Sequence, residues 1–150
     1  MSYTAIYLHC IFATKNRKRF LSQEHDNELQ KYITWIIQSP ECNCKVLAIN
    51  NVEDHIHILI NLHPSISVAK LMQEIKSNSS KFINEKSRYP YKFAWQNWYA
   101  CFSYAKSQLN NVINYIKKQK QHHKENDFEK EYLDILNDFN IDYNKNFIFG

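Results

Sequence analysis

Apolar residues along this chain follow two periods. In residues 52–60 (VEDHIHILI) they alternate with polar ones. A period of two predicts a β-strand with His55 and His57 on one face and Ile56, Ile58 and Ile60 on the other. Residues 3–14 (YTAIYLHCIFAT) are rich in aromatic and β-branched residues. They predict a strand buried on both faces, central in its sheet. Residues 45–50 predict a strand that forms a hairpin with the histidine strand, residues 55–62, across a polar turn at 50–54. Residues 93–104 predict a fourth strand with an irregular start at Trp95-Gln96-Asn97.

Elsewhere the spacing is helical. Ser22 suits an N-cap, and Glu24, Asp26 and Glu28 suit the first turns of the helix behind it. Leu29, Ile33, Ile36 and Ile37 share its apolar face, and Ser39-Pro40 ends it. Ser65 or Ser67 caps a second helix over about 68–84, with Val68, Leu71, Met72, Ile75, Phe82 and Ile83 as its stripe. Residues 86–91 read as a loop. Ser107 caps a third helix, roughly 108–124. An acidic-aromatic tail follows, with Phe128, Tyr132, Leu133, Ile135, Leu136 and Phe139 at helical spacing, then residues 143–149. It is too apolar for a free linker, so it is expected to pack on the body or on a second subunit.

The order strand, helix, strand, strand, helix, strand predicts an α+β fold. It is a ferredoxin-like (RRM-like) split β-α-β antiparallel sheet with two helices on one face, plus a further C-terminal helix that carries Tyr115. One domain is expected over 1–150: a core at about 1–104, the third helix at about 107–125, and a helical tail at 126–150. The other sheet face is expected to stay open and to present His55 and His57.

Composition narrows the chemistry. Apolar content of 44% and aromatic content of 15% indicate a globular chain. No apolar run reaches the ~18–20 residues that span a bilayer. The first residues lack a basic segment followed by an apolar one, so no signal peptide is expected and the cytoplasm is the expected location. Gly150 is the only glycine, which excludes glycine-rich phosphate loops. The cysteines are Cys10, Cys42, Cys44 and Cys101, with no C-x-x-C pair, and read as reduced thiols. Residues 1–116 carry a formal charge of +5 and residues 117–150 carry −1. A basic body can meet a polyanion, and plain solubility explains the same balance.

Three groups of residues can carry function. Lys15, Arg17, Lys18 and Arg19 form a compact basic loop at a strand end, fit for phosphate contact or for a solvated turn. Lys76, Ser79, Ser80 and Lys81, with Lys70 and Ser77, are expected to lie largely outward on the second helix, as a phosphate-binding or an ordinary solvated face. On the third helix, Tyr115 and Gln119 stand at i and i+4 and share a face, with His122 near the same side. Tyrosine can act as a nucleophile once something helps it ionise. Gln119 can add an oxygen to a metal held by His55 and His57, an incomplete shell that leaves room for phosphate or water. His9, in the first strand, reads as a core histidine or as a residue lining the site.

In these residues the chain resembles the single-tyrosine HUH (His-hydrophobic-His) transposases of small insertion sequences that move as single-stranded DNA. It resembles equally their relatives associated with repetitive extragenic palindromes (REP). The resemblance runs through Phe12-Ala13-Thr14-Lys15-Asn16-Arg17, Asp54-His55-Ile56-His57-Ile58-Leu59, and Lys76-Ser77-Asn78-Ser79-Ser80-Lys81. It continues through Phe93-Ala94-Trp95-Gln96 and Phe102-Ser103-Tyr104 to residues 115–124, YIKKQKQHHK. Many members carry a glycine just after the Trp-Gln pair, where this chain has Asn97-Trp98-Tyr99.

The resemblance implies that Tyr115 is a nucleophile forming a 5′-phosphotyrosine link. It implies that His55, His57 and Gln119 hold Mg²⁺ or Mn²⁺. It also implies a homodimer acting on single-stranded DNA with hairpins. The activity implied is that of a transposase: a single-strand endonuclease and strand transferase that cleaves and rejoins DNA at hairpin-marked ends. The alternatives are a catalytically silent or domesticated hairpin-binding protein, and a His-metal phosphodiesterase using water.

Overall fold

The computed structural model describes residues 2–86, 92–121 and 127–144. Most of the expected loop at 86–91, the end of the third helix with His122, and the tail from residue 145 onward lie outside them. Among the described residues there are four strands: β1 (Tyr7–Ala13), β2 (Lys45–Asn51), β3 (His55–Asn61) and β4 (Ala100–Tyr104). They form one antiparallel sheet in the order β2-β3-β1-β4. The longer helices are α1 (Asp26–Gln38), α2 (Val68–Glu85), α3 (Leu109–Lys117) and α4 (Phe128–Asp138). This is the split β-α-β arrangement that the element order predicts. No described helix is long and apolar enough to cross a membrane.

Strand alternation divides the sheet into two faces. Cys10 and Phe12 of β1 and Ile56, Ile58 and Ile60 of β3 turn toward α1 and α2. There they pack with Leu29, Ile33, Ile37, Leu71, Met72 and Ile75 into the main core. At roughly 1.5–3 kcal/mol for each fully buried aliphatic side chain, this layer supplies most of the driving force for folding. A bulge in β2 between Val46 and Ala48 lets Val46 and Ile49 both reach that core.

The opposite face is not open. Helix α3 covers it at one end, packing Val112 and Ile116 on Ala48 and Leu59. Helix α4 covers the rest, packing Phe128, Tyr132 and Leu136 on Ile11, Ala13, Ala100 and Phe102. The expected open face fails because the apolar tail needs a partner and the bare half of the sheet supplies one.

Several local expectations also change. Ser22 makes no side-chain cap; it precedes a short 3-10 turn, and α1 begins at Asp26. Ser67 does cap α2, accepting from the Lys70 N–H at 3.0 Å. Ser107 lies within a 3-10 turn, and the Gln108 side chain accepts from the Ala105 N–H instead. The fourth strand is shorter than 93–104, because side chains take the backbone groups that a ladder would use. Asn84 exchanges two hydrogen bonds with the backbone of Phe93. Lys76 Nζ donates to the carbonyls of Gln96 (2.7 Å) and Trp98 (2.6 Å).

Candidate active site

The site lies between the sheet and its α3–α4 cover. His57 sits in mid-sheet, paired with Ile11 on one side and Asn50 on the other. His55 is opposite Ala13, a small residue that leaves the imidazole room. Both histidines are buried. Their neighbours orient them: His55 Nδ1 lies 2.7 Å from Asp54 Oδ1, and His57 Nδ1 lies 2.7 Å from His9 Nε2. Both Nε2 atoms turn toward one carboxylate oxygen, Glu131 Oε1 on α4, at 3.6 Å from His55 and 2.8 Å from His57. The Phe128 ring, one turn earlier, packs on His55 with ring centroids 4.4 Å apart.

Tyr115 reaches this group from α3. Its ring stands edge-on to His57 at 5.9 Å and to His9 at 6.3 Å between centroids. The helix breaks just beyond it, at Lys118, where ψ is 18°. Asn50 receives the break, its Nδ2 donating to the carbonyls of Ile116 (2.9 Å) and Lys117 (3.2 Å). Residues 119–121 then resume a helical turn, so the single helix expected to 124 is interrupted. Gln119 is fully buried, and neither its Oε1 nor its Nε2 has a hydrogen-bond partner. An apolar side chain would avoid that cost, so an amide here points to a function.

A cavity of about 340 Å³ opens between α3 and α4, and His9, Tyr104 and Tyr115 line it with Glu131, Asp134 and Asp138 of α4. Burial, then the Glu131 carboxylate, push the Tyr115 phenol well above its ordinary range. The nearby Gln119 amide offsets a part of that shift, although it makes no full hydrogen bond. Burial opposes the Glu131 charge, but hydrogen bonds from His55 and His57 overcome it, and the carboxyl is held far below its usual range. For His55, burial works against protonation, and Asp54 and Glu131 outweigh it.

His55, His57 and Glu131 offer three donor atoms within 4.8 Å of one another. His55 Nε2 is buried and faces Glu131 Oε1 at 3.6 Å. Two imidazoles, a carboxylate and a spare amide are a donor set that a divalent cation fits. Glu131 is a ligand candidate that the sequence pattern did not reveal. It lies 74 residues from His57 in an acidic-aromatic stretch, and only packing brings it in. His9 and Asp54 were equally illegible as orienting groups.

The basic and serine positions divide. Lys15, Lys18, Arg19 and Lys81 are exposed, and Ser80 is half-buried. Arg17 pairs with Glu129 of α4, and Arg19 lies 3.8 Å from Glu53. Lys76 and Ser79 do not face outward as expected. Burial lowers the Lys76 ammonium to about 8, and its protons go to backbone carbonyls. Ser79 is buried and accepts from Trp95 Nε1 at 2.9 Å.

Two solved structures share this fold. One is a protein provisionally classed as a transposase from Deinococcus radiodurans R1. It is 19% identical, with a TM-score of 0.61 over 79% of this chain and 95% of the other. The second is a REP-associated tyrosine transposase bound to a REP hairpin. It is 15% identical, with a TM-score of 0.59 over 82% of this chain and 72% of the other. No curated protein matches the sequence significantly. The family model described as IS200-like transposase matches residues 2–119, which hold all four strands, the histidine pair, Tyr115 and Gln119. With most of its length inside that match, the chain belongs to the IS200-like transposase family.

Proposed function

We propose that this chain cleaves and rejoins single-stranded DNA at hairpin-marked ends, with Tyr115 as nucleophile. The observation that carries the reading is the Tyr115 ring edge-on over His57, at the buried His55–His57–Glu131 group. The Tyr115 oxygen attacks a DNA phosphorus. A tyrosyl–phosphate ester forms at the 5′ side, and the 3′ oxygen leaves and takes a proton. Attack by a 3′ hydroxyl on that ester reverses the step, so joining needs no outside energy source. His55 and His57 hold a divalent metal, with Glu131 and Gln119 as oxygen donors. Carboxylate and amide oxygens suit Mg²⁺ or Mn²⁺, and the imidazoles favour Mn²⁺. When bound, the cation supplies Lewis-acid polarisation of the scissile phosphate.

The exposed Lys15, Lys18, Arg19 and Lys81 contact the DNA backbone in this reading. The hairpin carried by the REP-associated neighbour supports a hairpin as ligand. Joining two ends calls for two active sites, so the working unit is proposed to be a homodimer, acting in the cytoplasm. A second reading, hairpin binding without cleavage, has one observation in its favour. Helix α4 covers the histidine pair and turns Glu131, Asp134 and Asp138 into the cavity beside Tyr115.

A denaturing gel separates the two. Full-length protein is incubated with Mn²⁺ and labelled single-stranded hairpins taken from the DNA flanking its gene. An SDS-stable adduct that vanishes in Tyr115→Phe supports strand transfer. Retarded DNA without an adduct supports binding alone, and cleavage that survives Tyr115→Phe sinks the tyrosine mechanism.

A further inference from the structure

The two site histidines are held from behind by chemically different partners. His55 Nδ1 meets a carboxylate, Asp54. A carboxylate only accepts, so His55 keeps its hydrogen on Nδ1 and can offer the Nε2 lone pair to the site. His57 Nδ1 meets an imidazole, His9 Nε2, and the two rings stack with centroids 5.0 Å apart. His9 is buried between the sheet and its cover. Its other nitrogen, Nδ1, has no hydrogen-bond partner.

Partner chemistry assigns the tautomers. Glu131 accepts from His57 Nε2 at 2.8 Å, so that nitrogen carries the hydrogen. His57 Nδ1 must then accept, and His9 Nε2 donates. A His57 that binds a cation through Nε2 needs the reverse: its hydrogen on Nδ1, and a partner that accepts. An aspartate at position 9 could only accept and a lysine could only donate. An imidazole can do either at the same atom.

We propose that His9 is a positioning residue whose imidazole changes from donor to acceptor together with His57, so that His57 can present Nε2 to a divalent cation. The protons balance. One leaves His57 Nε2, one crosses from His9 Nε2 to His57 Nδ1, and one joins His9 Nδ1. Both rings stay neutral. The cavity that His9 lines gives solvent a route to exchange the outer two. This rests on the metal reading above, and the experiment keeps the two apart.

Long-range ¹H–¹⁵N spectra of the histidine side chains in the full-length protein report which nitrogen carries hydrogen. The metal-free protein is expected to show His9 and His57 both protonated at Nε2. Zn²⁺, a diamagnetic probe, is expected to move both to Nδ1. Calorimetric titration with Mn²⁺ supplies the second readout. His9→Leu is expected to weaken binding about 10–100-fold, the range for orienting groups behind a metal ligand. His9→Gln, whose amide can offer either N–H or C=O at that reach, restores most of it, and the shorter His9→Asn does not. That ordering holds even if the leucine variant folds poorly. Mn²⁺ affinity that is equal in Gln and Asn variants, or a His57 that keeps its Nε2 hydrogen in the Zn²⁺ form, overturns the proposal. Binding that survives His57→Ala overturns instead the metal reading beneath it.

Discussion

The two faces of the sheet come from the same four strands and are built on opposite principles. Toward α1 and α2, every inward side chain of β1 and β3 is apolar or a thiol. Toward α3 and α4, the same strands turn in His9, His55 and His57, and the covering elements add Gln119 and Glu131. Two of these five, His9 and Gln119, retain a buried polar atom without a hydrogen bond. Each such atom costs about 1–3 kcal/mol. The first face holds the molecule together, and the second gives up stability to keep donors free. Such local violations of packing rules mark functional sites.

Four substitutions can break or sharpen that contrast. The largest effect is expected from Tyr115→Phe. It removes the hydroxyl alone, so the covalent DNA adduct should disappear while the urea midpoint stays close to that of the parent. A folded variant that still forms the adduct would move the nucleophile elsewhere. On the other face, Ile58→Ala empties a fully buried position. It should cost about 2–5 kcal/mol in urea unfolding and leave Mn²⁺ affinity of the folded protein unchanged.

Gln119→Leu tests whether the second face sacrifices stability. Replacing the unpartnered amide with a side chain of similar size should stabilise the fold by about 1–2 kcal/mol while weakening Mn²⁺ binding. A loss of stability would show that the amide is satisfied in solution. The smallest change is expected from Arg17→Ala. The Arg17–Glu129 pair that ties the basic loop to α4 is partly exposed, so its removal should cost less than ~1 kcal/mol, and less again at high salt. A larger cost would mean that α4 depends on that pair.

Much of the first face was legible in the chain. Ile56, Ile58 and Ile60 alternate, and Leu29, Ile33, Ile36 and Ile37 recur at helical spacing. Each pattern identifies its element and buried side without reference to any other. The second face was legible only in pieces. The pair His55 and His57 and the Tyr115–Gln119 spacing stood out, yet their meeting depends on where α3 docks. Asn50 decides part of that docking by capping the end of α3, and nothing near Asn50 in sequence signals it. Glu131 looked like one acidic residue among several. The fourth strand is shorter than its residue pattern predicts because Lys76 and Asn84 intercept its backbone groups, and local propensity does not register a distant side chain.

The sequence by itself determined the element order, the handing of each strand's residues to one face or the other, and the identity of the chemically capable side chains. These follow from periods of two and 3.6, which are local properties of the backbone. Only the tertiary structure decided that the tail covers the histidine face, that Glu131 meets His55 and His57, and that His9 stands behind His57. Glu131 lies 74 positions from His57, and His9 lies 48. The β1–β3 register sets His9 beside His57, and Glu131 arrives because burying the α4 stripe on Ile11, Ala13 and Phe102 removes apolar surface from water. The polar groups are carried in with it.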